Sequence, residues 1–397
     1  MKKLMMATAT TALLAGAAAA EEVKLGIFIG FTGPIESLTG HMAAAADAAM
    51  AEVTASGKFM GGSTVTGVRA DSTCAIDTAA GTAAAERLIT AEGIKGMIGG
   101  DCSGITGAVL QNVARPNGIV MISPSATSPA LSTAEDDGLF FRTAPSDARE
   151  GEVMAEILTE KGVKSIALTY TNNDYGKGLA EAISAAFIAK GGVVTINTPH
   201  DDGKADYSAE VAALASAGGD LLVVAGYLDQ GGKGIIQASL DTGAFSTFGL
   251  PGGMVGDNLP IAIGPALDGS YGQVAQSDSP GAAIMTEMGK TAATPFDATS
   301  PYTMESYDAA ALIMLAMAAA NSTDPKVYKD KVLDVANAPG EKILPGELAK
   351  ALDLIAAGTD IDYDGASGVE LLGPGEAAGR YKQFEVKGGK YETVTFR

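Results

Sequence analysis

Residues 94–107, IKGMIGGDCSGITG, pass from a short apolar segment into a turn and then into a stretch of helix length. Apolar segments without alternating polar residues are typical of parallel strands, which helices cover on both faces of the sheet. The stretch therefore predicts a strand, a loop and a helix. It also leaves a question about Ser103, which is either a nucleophile at a strand end or an uncharged donor that holds a ligand.

The same unit recurs along the chain and predicts an α/β fold with wound sheets. Further strand-like segments are VKLGIFIGF (23–31), GIVMISPSA (118–126), VKSIALTYTN (163–172) and DLLVVAGY (220–227). Helical stretches follow, among them residues 174–192 and 230–243. Pro145 and Asp147 in FFRTAPSD indicate a break, after which the pattern restarts. Two lobes are the expected result.

The first twenty residues predict a signal peptide. Lys2 and Lys3 precede an apolar centre, and three alanines precede Glu21. The acidic residues number 47 against 27 lysines and arginines, a net charge of −20. Such a surface repels nucleic acid and anionic membranes. We therefore expect an exported protein without a nucleic-acid partner.

The two cysteines, Cys74 and Cys102, favour a single structural disulfide over a metal site. Thiols of exported chains tend to oxidise, and His41 and His200 do not have the spacing of metal ligands. No metal and no cofactor are predicted.

Ligands of open α/β sheets bind beyond the carboxyl ends of the strands. The loops at those ends carry hydroxyls and backbone N–H groups but no arginine, and their candidate residues are Ser103, Ser125, Thr127, Tyr175 and Tyr227. Such donors suit the carboxylate of a small ligand. Each serine or threonine is alternatively a helix cap or turn residue, and the tyrosines are alternatively packed aromatics.

Catalysis is disfavoured by the motifs. Neither histidine lies near a GxSxG turn, so Ser103 lacks a placed base. The chain contains no GxxxxGK[ST] loop, and no GxGxxG follows the first strand. We expect a binding protein and not an enzyme.

With these loops in view, the chain resembles the periplasmic solute-binding proteins of ABC importers, specifically the Leu/Ile/Val-binding family, over essentially its mature length. The segments that carry the resemblance are GIFIGFTGPIESLTG (26–40), DSTC (71–74) with CSGIT (102–106), VMISPSATSPALS (120–132), FFRTAPSD (140–147), TYTNNDYGKGLAEA (169–182) and GYLDQGGKGIIQAS (226–239).

The resemblance implies a type I periplasmic-binding fold, with two doubly wound lobes, a central cleft and three hinge crossings. Lobe 1 is expected at 21–142 plus 274–350 and lobe 2 at 146–270 plus 355–397. The crossings are expected near 143–145, 271–273 and 351–354.

The resemblance also implies site residues. It pairs Cys74 with Cys102 in a disulfide. The carboxylate-binding residues would be Ser103, Ser125, Ala126 and Thr127 on the first lobe, and the second lobe would cover the ligand with Tyr175 and Tyr227. Leu38 matches the apolar wall at the entrance, where relatives often carry a bulky aromatic.

One position departs from the family. Members that bind amino acids place an acid against the ligand ammonium, but the matching position in FGLPGGMVGD is Gly252 or Gly253. Burying an unpaired ammonium costs several kcal/mol. Either Asp101, Asp257 or Glu305 replaces the acid, or the ligand carries no amine.

The function expected from the sequence is that of a monomeric periplasmic receptor. It captures a small carboxylate ligand, an aliphatic amino acid such as a branched-chain one, by lobe closure and delivers it to an inner-membrane ABC permease. The alternatives are a binder of amine-free aromatic, aliphatic or keto acids and a ligand-sensing regulatory protein of the same fold.

Overall fold

The computed structural model describes residues 20–397. The predicted signal peptide, residues 1–20, lies outside them except for its last residue. The strands are, in chain order, β1 (Glu22–Ile29), β2 (Thr64–Asp71), β3 (Met97–Gly99), β4 (Met121–Ser123), β5 (Phe140–Pro145), β6 (Ser165–Thr171), β7 (Val193–His200), β8 (Leu221–Ala225), β9 (Phe248–Leu250), β10 (Tyr271–Ala275), β11 (Glu341–Ile343), β12 (Ile361–Tyr363), β13 (Leu371–Leu372), β14 (Glu376–Ala377), β15 (Tyr381–Lys387) and β16 (Lys390–Phe396).

The α-helices alternate with the strands through most of the chain. They are α1 (Glu36–Ser56), α2 (Thr78–Thr90), α3 (Ser103–Val109), α4 (Arg115–Asn117), α5 (Asp147–Glu160), α6 (Asp174–Ala189), α7 (Ser208–Ala217), α8 (Gly231–Thr242), α9 (Asn258–Ile263), α10 (Pro280–Thr291), α11 (Thr303–Ala320), α12 (Pro325–Tyr328), α13 (Val332–Ala336) and α14 (Leu348–Ala356). A π-helical segment, Leu110–Ala114, joins α3 to α4.

Each lobe is built on a seven-stranded sheet. The order in the first lobe is β13-β14-β5-β4-β3-β1-β2, and in the second it is β16-β15-β10-β9-β8-β6-β7. Strands β1 to β5 pair in parallel, as do β6 to β10. Antiparallel pairs occur where β13, β15 and β16 join. The expected pair of wound α/β sheets is confirmed.

Burial explains why the strand-like segments of the sequence are so apolar. The central strands β3, β4, β8 and β9 are buried at every residue, whereas the edge strand β7 alternates between exposed and half-buried residues up to its buried last residue, His200. Helix α11 is buried from Thr303 to Met317 and packs against α1 in the first lobe. Among the described residues, no helix combines the length and apolarity needed to cross a membrane.

The chain passes between the lobes three times, at neighbouring points. Strand β5 ends at Pro145 and α5 begins the second lobe. The chain returns after β10, and it crosses again between Ala377 of β14 and Tyr381 of β15. Pro145 pairs with Ala377, and Gln276 N donates a hydrogen bond to Arg380 O at 3.1 Å. The three crossings therefore lie side by side.

Two of the predicted crossings were misplaced. Residues 271–273 lie inside β10, which pairs with β9 and β15 of the second sheet. Residues 351–354 lie inside α14, which packs against α1 and α11 of the first lobe. The first lobe therefore extends from about 280 to 377, and the second resumes at 381. The two-residue strands β13 and β14 are too short to give a periodic signal in the sequence.

Candidate ligand-binding site

The cleft lies where the carboxyl ends of the two parallel sheets face each other. Its lining combines residues that are far apart in the chain and encloses a cavity of about 20 Å³. The lining residues are Ile35, Leu38, Asp101, Cys102, Ser103, Ser125, Tyr175, Tyr227, Gly253 and Tyr302. A space of this size holds about one water molecule, so the lobes must separate to admit any larger solute.

Ser103 and Ser125 hold two loops of the first lobe together. Ser103 begins α3, and its Oγ accepts a hydrogen bond from Ser128 N at 3.0 Å. Ser125 Oγ donates to Asp101 O at 3.0 Å. Both hydroxyls line the cleft, while Ala126 and Thr127 lie just behind it and are buried. Ala126 N donates to Ser123 Oγ at 2.9 Å.

The two predicted tyrosines come together on the second lobe. Tyr175 lies in the first turn of α6, which Asn173 caps by accepting from Gly176 N at 2.9 Å. Tyr227 follows β8, and the two rings stack with their centroids 5.0 Å apart. They form one wall of the cleft.

Gly252 and Gly253, where the family resemblance led us to look for an acid, leave little room for a side chain. A Cβ on Gly253 would lie 2.5 Å from Tyr175 Oη, and a Cβ on Gly252 would lie 2.9 Å from Tyr302 Oη. Tyr175 Oη also accepts a hydrogen bond from Gly253 N at 3.1 Å. Tyrosine hydroxyls therefore occupy the space that an acidic side chain would need.

The three acids proposed as replacements lie in different environments. Asp101 lines the cleft, but its Oδ2 accepts from Gly30 N at 2.7 Å and its Oδ1 from Ser72 Oγ at 2.5 Å. Asp257 is exposed at the start of α9. Glu305 is buried within α11, where burial raises its pKa to about 8. Asp257 and Glu305 do not line the cleft.

Asp101 also lies beside the two cysteines. The ligand-type atoms of Asp101, Cys74 and Cys102 all fall within 4.8 Å of one another. The two sulfurs lie at bonding distance, with the Cα atoms 5.1 Å apart. Because both Asp101 oxygens already accept hydrogen bonds, the arrangement suits a disulfide better than a metal ion.

Neither histidine hydrogen-bonds to Ser103 within residues 20–397. His200 is buried in the second lobe, where its Nδ1 lies 2.9 Å from Thr169 Oγ1, and burial lowers its pKa to about 4. His41 Nδ1 accepts a hydrogen bond from Asp297 N at 3.2 Å. Within residues 20–397, therefore, no histidine is placed as a base for Ser103.

A family model described as periplasmic binding protein matches residues 22–338. The chain belongs to the periplasmic binding protein family. Leu/Ile/Val-binding protein homolog 3 of Brucella melitensis is 30% identical over 83% of this chain and 88% of its own length. The chemotactic signal transduction substrate-binding protein BasB of Halobacterium salinarum is 28% identical, and the match covers 68% of this chain and 64% of BasB.

Solved structures of other periplasmic binding proteins share the fold. The leucine-binding protein LivK of Thermotoga maritima superposes with a TM-score of 0.78 at 20% identity, covering 94% of this chain and 98% of LivK. A Rhodopseudomonas palustris solute-binding protein in complex with 4-hydroxybenzoate superposes with a TM-score of 0.74 at 18% identity, and the match covers 95% of this chain and 97% of that protein. The expected fold of two α/β lobes is confirmed.

This periplasmic binding protein carries a buried acid pair that the sequence analysis missed. Asp147 and Glu150 lie three residues apart in the first turn of α5, at the first crossing. Glu150 Oε1 accepts from Gly252 N at 2.7 Å and from Gln273 Nε2 at 3.1 Å. Asp147 has no exposed surface and, like Glu150, is not among the residues that line the cleft. Neither of its carboxyl oxygens accepts a well-aligned hydrogen bond within residues 20–397, although the Thr127 hydroxyl and the Glu150 carboxyl lie beside it.

The environment of Asp147 opposes its ionisation. Burial raises the pKa of Asp147 well above its usual value, and the neighbouring Glu150 raises it further. The Thr127 hydroxyl lies near enough to oppose this rise, although it makes no well-aligned hydrogen bond to the carboxyl. The sequence signal was the acid directly after Pro-Ser in FFRTAPSD, which we interpreted only as a break between lobes.

Proposed function

We propose that the protein is an extracytoplasmic receptor that captures a small α-amino carboxylate, an aliphatic amino acid, and delivers it to an inner-membrane ABC permease. The observation that carries this proposal is Asp147, a buried acid beside the buried Glu150 at the junction of the lobes, whose carboxyl accepts no well-aligned hydrogen bond from residues 20–397. A buried carboxyl in that position needs a cation or a donor to satisfy it.

The carboxylate end of the solute is assigned to the first lobe. Ser103 and Ser125 present hydroxyls to the cleft, and Ser125, Ala126 and Thr127 form one tight loop behind them. Ser103 Oγ accepts from Ser128 N and so keeps its O–H free to donate to a solute, whereas Ser125 must release its hydrogen bond to Asp101 O before its O–H can do so. Hydrogen bonds to a carboxylate are about twice as strong as neutral ones.

The amine end is assigned to Asp147, supported by Glu150. Asp147 N donates to Thr127 O at 2.8 Å, which ties the acid to the carboxylate-binding loop. Glu150 lies between Asp147 and Gly252, beside the position where relatives carry their acid. An ammonium between these groups would keep one carboxyl ionised in spite of its burial.

Closure is assigned to the second lobe. Tyr175 and Tyr227 cover the solute when the lobes approach, and a solute that touches both lobes favours the closed form. A dissociation constant near 1 μM corresponds to about −8 kcal/mol, which a few charge-assisted hydrogen bonds and a buried aliphatic group supply.

Two other functions have specific support. An amine-free carboxylate is favoured by Gly252 and by the structural neighbour that binds 4-hydroxybenzoate. A sensing role is favoured by the similarity to BasB, which belongs to a chemotactic system. Recovery of a stable heteromeric partner from exporting cells, in place of a permease, supports the sensing role.

Export is part of the proposal. A signal peptide would direct the chain to the periplasm, where a disulfide between Cys74 and Cys102 would form, and the receptor would act as a monomer. The family and the acidic surface support this location. Non-reducing mass analysis of secreted protein would give both the new N-terminus and the oxidation state.

A thermal-shift screen tests the proposed function. A solute at about 100 times its dissociation constant adds roughly 2.7 kcal/mol to the free energy of unfolding. We expect aliphatic amino acids to raise the unfolding midpoint more than amine-free acids of the same skeleton. Thr127→Ala is expected to weaken binding by about 1.5–3 kcal/mol in calorimetry. Unchanged affinity would remove Thr127 from the site.

A further inference from the structure

A second cavity, of about 530 Å³, lies between the lobes next to the cleft. Volumes of this size are typical of small-molecule pockets. Both lobes contribute to its lining, which includes Leu38, His41 and Asp297 from the first lobe and Gly256, Lys382 and Lys390 from the second. Leu38 lines both this cavity and the cleft.

Leu38 is the side chain that separates the two spaces. A Cβ on Gly256 would lie 3.1 Å from Leu38 Cδ2, so the two lobes touch at this point. Leu38 occupies the position of the apolar wall at the entrance, where a side chain of the solute is expected. Because Leu38 lines both spaces, a solute that reaches from the cleft into the larger cavity would have to pass it.

Two lysines of the larger cavity, Lys382 and Lys390, make no ion pair within residues 20–397; Lys390 is exposed, whereas Lys382 is not. Lys382 lies near the start of β15 and is half-buried, yet its ammonium makes no ion pair or hydrogen bond with any residue of 20–397. Burial lowers the pKa of Lys382, and Asp297 opposes this effect. A cation that has lost part of its hydration without gaining a partner favours an anion.

The other polar groups of the cavity do not cancel this preference. Asp297 Oδ1 accepts from Thr299 N at 2.8 Å and from Thr299 Oγ1 at 2.7 Å, within its own loop, and the Asp297 charge acts on Lys382 without forming an ion pair with it. Asp257 is exposed at the rim. His41 accepts at Nδ1, so a neutral His41 carries its proton on Nε2 and is a further donor.

We propose that this cavity receives the far end of the solute, and that Lys382 binds a second carboxylate there. The inference rests on the proposed function, because the amine and first carboxylate are held at Asp147 and at the Ser125–Thr127 loop. It extends the substrate class from aliphatic amino acids to α-amino acids with a terminal acid, whose chain passes Leu38.

Calorimetry on pairs of equal chain length tests the inference. The pairs are norleucine with 2-aminoadipate and 2-aminoheptanoate with 2-aminopimelate. For at least one pair we expect the diacid to bind about tenfold more tightly, the effect of a hydrogen-bonded charge in a half-buried site. Lys382→Met should abolish this ratio. Lys233→Met is the matched control, because Lys233 is half-buried outside the cavity.

Each outcome decides between the two proposals. Neutral and acidic members that bind wild type equally, or a ratio that survives Lys382→Met, would overturn the inference and leave the proposed function intact. If no amino acid binds, the proposed function fails and the inference fails with it. Thermal melts establish that the variants fold, and Lys382→Gln repeats the test if the methionine variant does not.

Discussion

Replacing Asp147 by asparagine separates amine recognition from folding. Asp147→Asn removes the charge but keeps the shape of a side chain that has no hydrogen-bond partner within residues 20–397. We therefore expect the unfolding midpoint without solute to be unchanged or higher, since a neutral amide avoids the burial and the Glu150 charge that oppose ionisation of Asp147. The affinity for leucine should fall, while the affinity for its amine-free analogue 4-methylpentanoate should not.

The expected loss follows from the burial of the site. A hydrogen bond to a charged partner contributes about 1.5–3 kcal/mol, and removing one partner of a buried ion pair costs about 3–5 kcal/mol. The two ranges meet near 3 kcal/mol, which is about a hundredfold in the dissociation constant. Isothermal titration calorimetry measures both solutes under identical conditions.

The pH dependence of leucine binding gives a second test of the same variant. Because burial and Glu150 raise the pKa of Asp147, protonation at low pH removes the charge that binds the ammonium. Wild-type affinity for leucine should therefore fall as the pH is lowered, starting at a higher pH than the titration of an ordinary aspartate would give, and the dependence should be weaker in Asp147→Asn. Glu150 contributes in the same direction, because its pKa is raised too.

A matched control is Glu305→Gln, which neutralises a buried acid of α11, away from the Asp147–Glu150 pair of α5. It should leave leucine affinity unchanged. The assignment of Asp147 is refuted if Asp147→Asn binds leucine as tightly as wild type does, or if both solutes lose affinity equally.

Three further predictions concern closure and stability. Asp229 Oδ2 accepts from Ser37 N at 3.3 Å and from Ser37 Oγ at 2.6 Å, and this contact joins the two lobes. Because Asp229→Ala removes a contact of the closed form, it should weaken solute binding about tenfold. An unchanged affinity, with an unchanged radius of gyration in X-ray scattering, would contradict this. Burial raises the pKa of Glu305 from 4.5 to about 8. The free energy of unfolding should therefore fall as pH rises across that interval, by at most about 1.4 kcal/mol per pH unit. Glu305→Gln should reduce this pH dependence of the free energy of unfolding, measured by urea titration at several pH values. Reduction of the Cys74–Cys102 bond, whose residues are 28 apart, should lower the free energy of unfolding by about 3.6 kcal/mol. A urea midpoint insensitive to reductant would show that the bond contributes nothing.

Much of the site follows from local patterns. Ser103, Ser125 and Tyr227 each come shortly after a buried strand, and the carboxyl ends of parallel strands meet at one edge of a sheet. The structure places all three around one cleft. Their roles toward a solute stay predictions, because Ser103 and Ser125 also hold loops of their own lobe.

Other features could not be predicted locally. The strands β13 and β14 carry no periodic pattern, so the last crossing was placed about 25 residues too early, inside α14. Asp101 looked like a free counter-charge because it follows a strand, but Gly30 and Ser72, from distant segments, occupy its oxygens.

By itself, the sequence determined the α/β class, the division into two lobes and the loops that face the cleft. These features could be predicted because short-range patterns of apolar residues, glycine and hydroxyls indicate which strands are buried and where the loops lie. Only the tertiary structure decided which acid lacks a partner, where the lobes touch and which lysine faces a cavity. Those properties depend on the packing of segments more than a hundred residues apart, such as Glu150 against Gly252. The energy of a buried charge is set by such neighbours and not by its own place in the chain.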